Sequence, residues 1–375
     1  MDKKKLKEHI KELSQLTGPS GHEGNIRAYM REQWADLVDE FQVDGLGSLV
    51  GIKYGTGEAP RKKIMLSAHM DEIGLLVSQI KDGYLRLADI HGCDPRIMLA
   101  KPVLVHTKER TLKGVVAVPP PHITNQAGGT NSYPSFNEQW VDLGIASEEV
   151  EKLVRVGDMV TLEAPVVELT DDQIATKAMD DRAAVASVTT CLHYLQSRDH
   201  VWDVYAVASV QEEVGLHGAM TAAHHTQPDL AIAIDVGFAE QPGMSGDNHL
   251  AVEKGPQIGI GPNFHDGLLK GLQETAKELE ISLPLDPTPG GSGTDAWAIQ
   301  VSRQGVPTSL LSIPIRNMHS PIETVSVKCV NRTGRLMAEF ISGLVADYLD
   351  TIAWKLDEDE DTEANDGAET NGDAE

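Results

Sequence analysis

The chain has 375 residues, 41% apolar and 5% aromatic, enough for a large core and more than one ordinary domain. Its formal charge of −25 argues against nucleic acid or anionic membrane as a partner, and no apolar run approaches the ~18 residues of a membrane span. Cys93, Cys191 and Cys329 lie far apart without a CxxC pair, and no secretory-type apolar segment follows the basic start; we expect a cytoplasmic protein without disulfides or a thiolate zinc site.

The first predicted helix runs over 3–16 and stops at "TGPSG". Ser20 with Glu23 three residues on reads as a capping box for a second helix carrying Ile26, Met30, Trp34 and Leu37. "SLVGIKYG" and "KKIMLSA" read as strands. From 72 to 165 short apolar stretches such as "IGLLVSQI", "KPVLVHT" and "DMVTLEA" alternate with turn residues, the pattern of a small β-rich barrel or sandwich. A polar Gly/Asn/Ser loop and one helix interrupt it between 122 and 151. Glu72 is expected to begin this segment.

Beyond Pro165 longer elements alternate: helix 181–197, strand "VYAVASV", helix 217–224, strand "LAIAI", helix 266–279, strand "TSLLSI" and helix 327–353. Continuous apolar strands between helices predict a mainly parallel sheet covered on both faces. The expected fold is therefore α/β, with a catalytic domain formed by 1–71 and 166–355 and interrupted by a β-rich insert over 72–165. The final stretch, 356–375, holds ten acids and no Lys or Arg; without them 47 of the 57 acids face 32 bases. Lacking apolar side chains to bury, it reads as a disordered, solvating tail.

The chemistry gathers where strands end. "KKIMLSA" leads into His69 and Asp71, "VYAVASV" into Glu212 and Glu213, "LAIAI" into Asp235, and "TSLLSIPIRN" into His319; Asp180 in "KAMDDR" precedes a helix. Singly, each has an ordinary explanation: a loop histidine, a helix N-cap, a turn residue, a solvated acid. Jointly, in the crevice outside the carboxyl ends of a parallel sheet, so many carboxylates would repel one another unless cations sit between them. Two imidazoles with carboxylates and no thiolate suit a catalytic two-metal site.

The ordered segments "AHMDEIG", "KAMDDR", "QEEVGLHGA", "AIDVG", "GTDA" and "MHSPIE" resemble the tetrahedral aminopeptidases, the glutamyl- and leucyl-type dinuclear metallopeptidases, over about 20–349. The resemblance implies a zinc-peptidase-like catalytic domain with a barrel or PDZ-like dimerisation insert. It also implies two divalent ions, zinc first with cobalt or manganese compatible. His69, Asp180 and Asp235 would serve one metal, and Asp180, Glu213 and His319 the other, with Asp180 bridging. Glu212 would be the general base, and Asp71 would hold the His69 ring in its tautomer. Thr294 and Asp295 in "PGGSGTDAW" would lie near the substrate, though a Gly-rich turn capping a helix explains them as well. Implied substrates are short peptides with a free N-terminus, and the implied assembly is a dodecamer built from dimers. Two positions depart from the pattern: Asp181, where the family more often has Asn, and His217, where it has Arg. A cellulase-like glycosidase, since paired carboxylates also cleave glycosides, and a catalytically silent scaffold are the competing readings.

Overall fold

The computed structural model describes residues 1–120, 133–244 and 250–354; the acidic tail and part of the 122–151 loop lie outside the described residues. Four strands carry the centre of the molecule: Asp203–Ser209, Lys63–His69, Leu230–Phe238 and Thr308–Ile315, each parallel to the next. Their sequences are almost unbroken apolar runs, as a sheet buried on both faces requires. Antiparallel Leu49–Lys53 and Gln257–Ile260 flank them, and Glu40–Val43 and Leu285–Pro287 complete eight strands.

Alternation along one strand assigns the two faces. Ile64, Leu66 and Ala68 enter a core shared with helices Lys3–Gln15, Gly24–Trp34, Met179–Leu195 and Val327–Gly343. Met65 points the other way, into a smaller core shared with helices His217–Thr226 and Asp295–Gln300. Among the described residues no helix is long and apolar enough to cross a membrane.

Between Gly74 and Leu162 the chain builds a closed six-stranded barrel, in ring order Gly74–Lys81, Tyr84–His91, Trp140–Asp142, Thr111–Ala117, Pro102–His106 and Met159–Leu162. The barrel has its own core, with Leu75, Val77, Leu85, Val103, Val141 and Val160 fully buried. After it, Gln173–Thr176 pairs with Glu323–Ser326 in a separate three-stranded sheet.

Several expectations are corrected. Ser20 does not cap the second helix: Glu23 is its N-cap residue, and no side chain bonds the helix end. The Ser20 hydroxyl donates instead to buried Asp71, a stronger claim on it than a solvated helix terminus. Glu72 does not point away into the insert. It is 3% exposed and pairs with Lys177 at 2.6 Å and Arg182 at 3.2 Å while accepting from the Gly18 N–H. The last helix ends at Gly343, with Leu344 extended, and a short helix follows at Tyr348–Ile352. The Val345 carbonyl in that break accepts from the Trp202 indole N–H.

Candidate active site

His69 is the last residue of its strand and 2% exposed. Its Nε2 lies 3.0 Å from Asp180 Oδ1 and 3.8 Å from Glu212 Oε2. Its Nδ1 lies 3.3 Å from Asp71 Oδ1, without hydrogen-bond alignment. Burial alone would pull the imidazole's affinity for a proton down, but Glu212, Asp180 and Asp71 together raise it well above the usual value.

Asp71 is fully buried and accepts from the Ser20 hydroxyl (2.6 Å), the Glu212 N–H (3.1 Å) and the Glu213 N–H (3.3 Å). One carboxylate thus pins the loop carrying the two glutamates and stands 3.3 Å from the His69 ring. Burial would raise its pKa; the His69 ring and the hydrogen bonds outweigh that and hold it low.

Asp180 stands between the two histidines. Oδ1 faces His69, and Oδ2 lies 3.2 Å from His319 Nε2. Glu213 Oε2 is 3.5 Å from the same His319 nitrogen. Behind them Glu323, 2% exposed, accepts from the Asp180 N–H at 3.1 Å and the His319 N–H at 2.7 Å. Asp235 sits in the middle of its strand, which runs on to Phe238; its Oδ1 accepts from the Val236 N–H.

The other acids are crowded. Burial first, then neighbouring carboxylates, pushes Glu212 up to about 9 and Asp235 up to about 8, and pushes Glu213 and Asp181 well above the usual range. Buried His69 Nδ1, Asp181 Oδ1, Glu213 Oε1 and Asp295 Oδ1 have no hydrogen-bond partner. Donor atoms of His69, Asp181 and Asp235 lie within 4.8 Å of one another, as do those of His69, Asp180 and Glu213. The first set includes Asp181 where the sequence reading has Asp180. A buried cluster of unpaired carboxylate oxygens and imidazole nitrogens suits divalent cations, and none of the buried cysteines belongs to it.

Backbone conformation contributes as well. Ala178, Gln211, Leu216, Asn317 and His319 all have φ between 55° and 61°, left-handed conformations that non-glycine residues adopt at a cost and mostly where surroundings enforce them. They bracket the segments that carry Asp180, the two glutamates and His319.

The cluster opens into a cavity of about 910 Å³. Thr294 lines it; Asp295 does not. Asp295 turns inward at 2% exposed, and its Oδ2 accepts from Ser67 and Ser209, both at 2.7 Å, tying the His69 strand to the strand leading into Glu212. Asp181 is buried, its Oδ2 accepting from the His69 N–H at 3.2 Å. His217 is exposed, 3.3 Å from Gln211 Oε1, and outside the cavity wall.

Sequence reasoning missed Ser20, Glu323 and two barrel residues. Glu323 lay within "MHSPIE" and was signalled there. His91 lines the cavity with Nδ1 3.8 Å from Glu213 Oε2, and a Cβ on Gly92 would come within 2.8 Å of His319 Nδ1. No local signal points from the barrel to the site.

Comparison with known proteins gives concordant matches. The model of a family described as M42 glutamyl aminopeptidase matches residues 47–336. A lysyl aminopeptidase of Pyrococcus furiosus is 37% identical over 341 residues, 90% of this chain and 97% of that protein. An aminopeptidase structure from the archaeon Desulfurococcus kamchatkensis superposes with TM-score 0.87 at 36% identity, covering 95% of this chain and 99% of that one. The TET1 peptidase of Pyrococcus horikoshii, which can assemble into a tetrahedron or a large octahedral shell, gives TM-score 0.79 at 31% identity, covering 90% and 100%.

Proposed function

The chain belongs to the M42 glutamyl aminopeptidase family and is a metal-dependent aminopeptidase; on that premise we propose which residues act and on what. The substrates are short peptides with a free N-terminus, and one residue is removed per turnover. The observation that carries the assignment is Asp180 standing between two imidazoles, one oxygen toward each, inside a crowd of buried carboxylates whose pKa values are raised.

His69, Asp180 and Asp235 would hold one divalent ion, and Asp180, Glu213 and His319 the other; zinc, cobalt and manganese all suit these donors. Bound there, the two ions supply Lewis acidity and a water acidified for attack at neutral pH. Glu212, beside that position and facing the cavity, takes the proton from the attacking water on its carboxylate and passes it to the departing amine. Asp71 orients His69 and pins the Glu212–Glu213 backbone, so these groups are placed before substrate arrives. The carboxylate-lined floor suits the substrate's α-ammonium group, which an N-blocked peptide lacks. Carboxylate-only glycoside cleavage would give the two imidazoles no task.

In Glu212→Gln, with metal content unchanged, we expect aminopeptidase turnover to fall by about 10²–10⁴-fold, and N-blocked peptides to resist wild type. Near-normal turnover of the variant would remove Glu212 as the base. We also propose that residues 72–165 form a dimerising insert and that dimers build a twelve-chain tetrahedral shell, in keeping with the assembly of the Pyrococcus horikoshii peptidase.

A further inference from the structure

From the composition of the cavity wall, we infer that this active site takes N-terminal residues with large uncharged or cationic side chains and turns away glutamyl and aspartyl ones. The inference rests on the aminopeptidase reading above and deepens it by naming the substrate class.

The cavity is lined by five carboxylates, Asp180, Glu212, Glu213, Asp235 and Asp286. Among the described residues no Lys or Arg lines the cavity. A glutamyl side chain, the one in the family's description, would find no Lys or Arg to pair with among the described lining residues. Discrimination built on an unpaired charge is strong, because the wrong substrate surrenders its hydration and gains no partner.

The remaining wall favours bulk. Met220, Phe238, Trp297 and Val301 are large apolar residues 48%, 53%, 49% and 69% exposed, and all four line this cavity. Such a surface covers the aliphatic or aromatic body of a large side chain, including the stem of a lysine.

The test measures kcat/KM of the metal-loaded full chain on leucyl, lysyl and glutamyl chromogenic amides. Expected is a glutamyl value at least about a hundredfold below the better of the other two; a glutamyl value within about tenfold overturns the inference. No hydrolysis of any of the three would sink the aminopeptidase reading, and this inference with it. Val301→Arg and Met220→Lys place a cation on the wall. At least one should raise the glutamyl-to-leucyl ratio about tenfold or more, and an unchanged ratio in both overturns the role given to charge.

Discussion

His69 faces acids through both ring nitrogens, and the acids differ in state. Asp71 and Asp180 are held below the usual carboxylate range: burial would raise each, but their histidine and hydrogen-bonding partners outweigh it. Glu212 and Asp235, where burial dominates, are pushed up to about 9 and about 8. The sign of the pH dependence follows. A carboxyl whose native pKa exceeds its unfolded value of about 4 contributes stability below pH ~4 and loses it as pH climbs through the native value. Asp71 and Asp180 act oppositely, and their contribution is lost as pH falls below about 4. Metal-stripped protein should therefore unfold at progressively lower temperature between pH 5 and 9. The metal-loaded form should change less there, because the cations favour the ionised carboxylates. Thermal unfolding of both forms across that window checks this; a stripped form that grows more stable toward pH 9 would contradict it.

At the scale of elements, the parallel strands were legible because each is a nearly continuous apolar run, and the His-x-Asp ending of the second was legible as chemistry. The barrel was legible from short apolar stretches spaced by turns, although closure into a ring follows from pairing that no local window contains. What escaped were side chains whose partners lie far off in sequence. Ser20 has the local spacing of a capping box, but its hydroxyl serves Asp71, 51 positions away. Asp295 looks like a residue beside a Gly-rich substrate loop, yet its partner Ser67 is 228 positions away. Glu72 alternates away from Asp71 as expected; that direction is filled by Lys177 and Arg182 rather than by the insert. Removing one member of such a buried ionic group costs about 3–5 kcal/mol, so this junction is a firm anchor between the barrel's first strand and the segment leading to Asp180. The proposed metal-site residues stood out because most of them follow a strand's end, although Asp235 lies inside a strand that runs on to Phe238. The grouping of Asp181 with His69 and Asp235 depends on the turn around 178–181, which a linear reading does not resolve.

Over the whole molecule the barrel has two attachments to function. Its Tyr84–His91 strand supplies His91 to the cavity wall, and Gly92 leaves room for His319, so the site includes residues from both parts of the chain. The proposed shell of twelve chains predicts a mass near twelve times 40.6 kDa by light scattering at moderate salt, where the repulsion of −25 charges per chain is screened. A species no larger than a dimer under those conditions would remove the shell. The proposed chemistry requires divalent ions gathered by His69, Asp180, Glu213, Asp235 and His319, and elemental analysis of active protein tests that most directly. It should find two transition-metal ions per chain, with activity lost on chelation and regained on reloading. Full peptide turnover by protein holding no such metal would contradict it.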